Sequence, residues 1–347
     1  MLHSQTTNKI KGIDSIRFIA ALFVSIRHIG QPPIFNGMNE NSLLPKIACG
    51  IYNNSLSGPA AVIVFFVISG FCIHYPYTGG KIMQLGNFYA KRFIRIFIPM
   101  LVVIIIGYYL DVKMANMTDS ILWSLLAEMI YYALYPFLLK VSKQYSWNKL
   151  LIFSYILAYA LVFTFLYINR AEKYDGSFPQ YGVFNFIVGL PCWLLGVKLA
   201  ETYHTIRFNP VSKKSIIITR MGVWIASILC SMIRFHFNIG YNISLGIFAI
   251  VVYFWLTQEI SYYQNRVPSR LLERGGNWSY SLYLCHLFAY PLFLRMSVPD
   301  FGPLINAFIL IFIALINSYI YYLLVEKPSH KLSQSFNLDS IKQTYLR

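Results

Sequence analysis

The chain has 347 residues, of which 57% are hydrophobic, 17% aromatic and only 12% charged, and its apolar residues are gathered in long runs. That patterning excludes an ordinary soluble domain and marks an integral membrane protein. The formal net charge of +16 would suggest nucleic acid in a soluble protein, but the cations lie mostly between the apolar runs, with no basic surface carrying interleaved aromatics, so nucleic-acid binding is set aside.

Runs long enough to cross a bilayer core predict ten segments, near residues 13–30, 58–75, 93–110, 119–139, 150–168, 183–201, 216–235, 241–257, 278–294 and 302–325. The expected fold is all-α, a polytopic membrane protein of about ten transmembrane helices. A single transmembrane domain is expected over 1–347, spanning from about 13 to 325. No fused soluble domain is expected, because the stretch after Glu326 is too short to bury a core. The first run carries Arg17 and no small-residue cleavage site follows it, so it reads as a retained span rather than a signal peptide. With both termini cytoplasmic, nineteen Lys and Arg fall in inside loops against five outside, which sets the expected orientation.

The first span, "IDSIRFIAALFVSIRHIGQPP", holds Asp14, Arg17, Arg27 and His28. Ionisable groups at that depth are expensive, and a use is expected for them. Arg17 and His28 are eleven residues apart, close to three turns, which places them on one face with His28 about 16 Å further along. A ligand with an anionic end and a reactive far end would reach both. The second run ends in "FFVISGFCIHYP", whose His74 is expected at the interface. In "NFYAKRFIRIFIP", Lys91, Arg92 and Arg95 recur on successive turns beside phenylalanines, a pattern suited to lipid phosphates or to a phosphorylated cofactor. The fourth run, interrupted by Glu128 and Pro136, places Trp123 and Glu128 at the depth of His28, where the carboxylate either pairs with the imidazole or serves only to hold helices together. In the ninth, "NWSYSLYLCHLFAYP", His286 follows Tyr283 and is either a packing histidine or a second base. The five cysteines show no CxxC and no Cys/His ligand spacing, and no metal site is expected.

Taken in order, these stretches resemble membrane acyltransferase family 3, the ten-helix enzymes that modify bacterial polysaccharides and other acceptors. The family's Arg, ten residues and His is matched by Arg17 to His28, its "FFVLSGF" by Phe65 to Phe71, and its "RRxxRIxP" by Lys91 to Pro99 with one extra residue. "WSLxxExxFYLxxP" is matched from Trp123 through Glu128 and Tyr132 to Pro136, and "SYxLYLxH" by Ser279 to His286. Two features depart from the pattern: Ser15 and Phe18 stand where glycine is usual, and Arg27 precedes the histidine.

The resemblance implies transfer of an acyl group, usually acetyl, from cytoplasmic acyl-CoA to a hydroxyl of a cell-surface polysaccharide or lipid-linked sugar. The enzyme would sit in the bacterial cytoplasmic (inner) membrane, with acyl-CoA as co-substrate and no permanently bound cofactor. Arg17, Lys91, Arg92 and Arg95 would hold the phosphates. His28 would be the general base, oriented by Glu128, with His286 as second base or relay. Trp123 and Tyr132 would line the sugar or acyl site, and Ser69 or Tyr283 would supply an oxyanion donor. Direct transfer and an acyl-histidine route both remain open. The competing class is a transporter or flippase for an anionic or lipid-linked solute, which would use the same intramembrane charges.

Overall fold

The computed structural model describes residues 10–29, 43–114, 120–168, 178–203, 210–237 and 239–335. Several cations used to orient the chain, Lys9, Arg170, Lys173, Arg207, Lys342 and Arg347, lie outside the described residues, as do His3 and His204. The described chain is helical without strands, in thirteen α-helices: α1 Ile13–Ile29, α2 Leu43–Ser55, α3 Gly58–His74, α4 Leu85–Tyr109, α5 Trp123–Ile168, α6 Asn185–Tyr203, α7 Lys213–Phe237, α8 Tyr241–Tyr263, α9 Arg270–Gly276, α10 Ser279–Cys285, α11 Ala289–Arg295, α12 Pro303–Tyr321 and α13 Lys327–Ser335.

Among the described residues, six helical stretches are long and apolar enough to cross a membrane, not the expected ten. Each difference has a local cause. The described part of the first run is the 17 residues of α1, with charges near both ends. The third is the apolar half of α4, a helix of 25 residues whose first half is the basic stretch. The fourth and fifth join in the 46 residues of α5, broken only at Ser146, where the backbone turns to φ 66° between the segments 123–145 and 147–168. The ninth is interrupted: α10 stops at Cys285, His286–Phe288 is a 3₁₀ turn, and α11 resumes at Ala289. Pro291 explains the interruption, because its ring crowds the carbonyl four residues back and it offers no N–H to the ladder.

The core is built by close backbone approach. A Cβ at Gly70 of α3 would fall 1.9 Å from the Trp193 carbonyl oxygen of α6, and one at Gly196 would fall 1.9 Å from that of Val67. Only glycine permits this reciprocal contact, which presses α3 and α6 together along their length. The N-terminus of α1 is seated against α9 in the same way: a Cβ at Gly276 would lie 2.3 Å from the Asp14 carbonyl. The Glu273 carboxylate then accepts from the Gly12 and Ser15 amides, both at 3.1 Å, and from Ser15 Oγ at 2.7 Å. A negative charge on the open amides of a helix start stabilises it, and here it fixes the register that places Arg17.

His74 is not interfacial: it is 1% exposed. Its Nδ1 meets Tyr135 Oη at 2.8 Å, its Nε2 meets Glu201 at 2.5 Å, and its ring packs edge-on to Trp147. These neighbours come from α5 and α6, which hold the end of α3 between them.

Candidate active site

A cavity of about 230 Å³ opens between α1, α3, α4, α5 and α10, with Glu326 completing its wall. At one end stand Arg17, Arg92 and Arg95. Arg17 is 3.6 Å from Asp14, one turn before it on the same helix. Arg92 lies over the rings of Phe88 and Tyr132, each 5.8 Å from its guanidinium carbon. Arg95 has neither an ion pair nor a hydrogen bond among the described residues. Guanidinium carries five donors, so three of them facing one cavity with so few partners form a strong anion site.

The middle of the cavity is a polar network. Ser69 and Tyr132 both donate to Glu128 Oε1, and Trp193 Nε1 donates to Ser69 Oγ at 3.2 Å. Among the described residues no hydrogen bond joins Glu128 to His28: the anchored Glu128 oxygen is turned into the cavity wall by two hydroxyls from α3 and α5. The same bonds remove Ser69 as an oxyanion donor, since its single proton is engaged by the carboxylate. Tyr283 is engaged likewise, donating to the Ile121 carbonyl at 2.7 Å while Ser124 Oγ lies 2.8 Å from its oxygen.

Tyr283 closes the far end with Phe65, ring centroids 5.9 Å apart. Directly behind it stands His286, centroid 6.2 Å away, and behind that His28, at 4.9 Å from His286. The break after α10 is what turns His286 toward α1. Its Nδ1 meets the Tyr283 carbonyl at 2.8 Å and so carries the proton, which leaves Nε2 as a lone pair. That lone pair is 3.2 Å from His28 Nδ1, which also meets the Val24 carbonyl at 2.9 Å. His28 Nδ1 must then be the donor, shared between the two acceptors. Its Nε2 is left as an open lone pair with no partner among the described residues.

The geometry is a cationic pocket joined through one tyrosine to an imidazole whose basic nitrogen is free, an arrangement that suits a ligand with an anionic end and an electrophilic end. A family model described as an acyltransferase domain matches residues 10–323. The chain belongs to acyltransferase family 3. No curated relative and no solved structure matches it.

In this acyltransferase the structure gathers Arg17, Ser69, Arg92, Arg95, Glu128, Tyr132 and Tyr283 around the cavity and joins His28 to His286 beyond it. Two expected residues stand apart. Lys91 is exposed and does not reach the cavity, because Arg92 and Arg95 are the pair that α4 turns inward. Trp123 is 9% exposed and packs edge-on to Phe66 from behind the lining rather than lining it. Residues that sequence reading missed are Glu326, Cys72 and Tyr280. Tyr280 sits inside the quoted "SYSLYL", and its hydroxyl donates to the Ile96 carbonyl at 3.0 Å, tying α10 to α4. The signal for Glu326 was an acid closing an apolar run just before Lys327 and Pro328.

Proposed function

We propose that this membrane acyltransferase transfers a short acyl group, acetyl by preference, from acyl-CoA to a hydroxyl of a cell-surface polysaccharide or lipid-linked sugar. One observation carries the reading: three guanidiniums with open donors face one end of a cavity whose other end abuts the His286–His28 pair. Coenzyme A has the matching form, with phosphates at one end and a thioester at the end of a thin arm. Arg17, Arg92 and Arg95 hold the phosphates at the cytoplasmic edge by charge-assisted hydrogen bonds. The arm runs past Glu128 and Tyr132 toward Tyr283. Both termini are cytoplasmic in this reading, and the membrane is the bacterial inner one.

At the far end, His28 Nε2 takes the proton of the acceptor hydroxyl as the oxygen attacks the thioester carbonyl. The new C–O bond forms, the C–S bond breaks, and the proton passes from His28 to the departing thiolate. His286 takes the role that Glu128 was expected to play. When His28 becomes cationic, its Nδ1–H strengthens its bond to the His286 Nε2 lone pair, which orients the ring and spreads the charge. A positioned base of this kind accelerates transfer by about 10²–10⁴-fold.

The test is transfer of label from radiolabelled acetyl-CoA by purified protein in detergent, over a panel of bacterial surface glycans. Wild type should transfer label to at least one glycan. His28→Ala should lose about 10²–10⁴-fold in turnover while retaining coenzyme A binding. Activity that appears only in sealed vesicles with a solute gradient would favour transport instead.

A further inference from the structure

Glu326 is placed by a local departure from α-helical geometry. Tyr322–Glu326 is a π-helical segment between α12 and α13. Pro328 follows two residues later, and its ring would collide with the Leu324 carbonyl in a regular helix, so the wider turn accommodates it. The extra residue rotates Glu326 into the cavity wall, while Leu323 and Leu324 remain on the exposed side.

The two carboxylate oxygens then have different tasks. Oε2 accepts from the Ser281 amide at 3.0 Å and from Ser281 Oγ at 2.5 Å. Ser281 is the third residue of α10, whose first turn receives no side-chain cap from Trp278, so Glu326 supplies that cap from another helix. Oε1 has no hydrogen-bond partner among the described residues, and no cation there lies within ion-pair distance of the carboxylate. Yet the guanidiniums of Arg17, paired only with Asp14 at 3.6 Å, and of Arg95 face the same cavity. Two bonds to Ser281 prevent the side chain from swinging to them. An acceptor held rigidly and left open inside a cavity calls for a donor from the ligand. Phosphates at neutral pH offer acceptors almost exclusively, whereas the pantetheine arm offers two amide N–H groups and one hydroxyl.

We propose that Glu326 is a donor-binding residue whose Oε1 accepts a hydrogen bond from an amide N–H or hydroxyl of the uncharged arm of the acyl donor, beside the phosphates on Arg17 and Arg95. The proposal rests on the acyl-CoA reading above and adds the group that recognises the arm. Glu326→Gln is the informative variant. Because Ser281 presents an N–H, the glutamine oxygen stays at the cap and the NH₂ replaces the open acceptor.

The full chain in detergent is titrated with two probes: coenzyme A, and adenosine 3′,5′-bisphosphate, which carries phosphates without the arm. The expected result is that Glu326→Gln binds coenzyme A at least tenfold more weakly and the bisphosphate as wild type does. Equal binding of both probes by variant and wild type would overturn the proposal and leave Glu326 as a helix cap only. Equal weakening of both would overturn it in favour of an effect on the arginines. Failure of wild type to bind either probe would instead overturn the acyl-CoA reading itself, and the proposal with it. Should the variant not fold, wild type is titrated with coenzyme A analogues in which each arm amide in turn becomes an ester or the arm hydroxyl a hydrogen. At least one should bind tenfold more weakly, and uniform affinity across the set would overturn the assignment.

Discussion

Two clusters of arginine and glutamate lie within the helical body, and they differ in whether their valences are closed. In the first, Arg220 of α7 meets Glu259 of α8 twice, Nε to Oε1 at 2.6 Å and Nη2 to Oε2 at 2.9 Å. Tyr263 and Trp255 complete the set at 3.1 and 2.8 Å. That pair closes one side of an apolar crevice of about 370 Å³, larger than the proposed active-site cavity. In the second cluster, Arg17, Arg92 and Arg95 share a cavity with Glu128 and Glu326, and among the described residues none of the three arginines makes a two-pronged carboxylate pair. Residue type and cavity size therefore do not identify the site. Open hydrogen-bonding capacity is what sets the second cluster apart, because donors and acceptors left without a hydrogen-bond partner are available to a ligand.

The comparison predicts opposite consequences for matched substitutions. Arg220→Met leaves Glu259, 2% exposed, without its counter-charge. Breaking a fully buried pair costs about 3–5 kcal/mol. With the Arg220 side chain 41% exposed, the loss should be about 2–3 kcal/mol. It should be read as a lower melting temperature in detergent, with donor affinity unchanged in the folded fraction. A variant that melts normally but no longer binds donor would reverse the assignment of the two clusters.

Arg95→Met should do the converse. Hydrogen bonds to a charged group contribute about 1.5–3 kcal/mol, so coenzyme A should bind roughly 10–100-fold more weakly. The melting temperature should hold or rise, since a cation without a partner is removed from the interior. Added salt should weaken wild-type binding more than that of the variant. Unchanged affinity would mean that the three arginines serve the bilayer and not a ligand.

Much of this was legible in the sequence because it depended on spacing within one helix. Arg17 and His28 on one face of α1, and Arg92 with Arg95 on α4, follow from 3.6 residues per turn. Trp123, Ser69 and the glutamates were harder, because their roles depend on which helix lies opposite. Glu128 looked like a partner for His28 at the same expected depth, but reciprocal Gly70 and Gly196 bring α3 against α6 so that Ser69 is delivered to Glu128 first. The His28–His286 contact spans 258 positions and requires the break at Cys285, which neither the apolar pattern nor the motif displays. Glu326 depends on a π-turn, invisible to a reading that assumes regular helix.

Glu128→Gln tests that revision directly. The glutamine oxygen can still accept from Tyr132 and Ser69, so the network should survive at a cost of roughly 1–2 kcal/mol. If Glu128 serves the cavity, the change should appear in KM for the donor, with turnover and its pH profile near wild type. A fall in turnover of roughly a hundredfold or more, with KM unchanged, would restore Glu128 as the residue that orients His28.

The smallest effect should come from Trp123, whose place in the motif suggested substrate contact and whose position indicates packing. Trp123→Phe trims the indole while keeping an aromatic edge toward Phe66, at 6.0 Å between centroids. The loss should be about 1 kcal/mol of stability, within the range for modest truncations of buried side chains. Neither KM nor turnover should move more than about twofold, since Phe66 stands between this side chain and the cavity. A large rise in KM for the glycan acceptor alone would show that the acceptor approaches on the Trp123 side, where α5 begins. The acceptor and donor would then enter from opposite sides of Phe66 rather than meet at Tyr283.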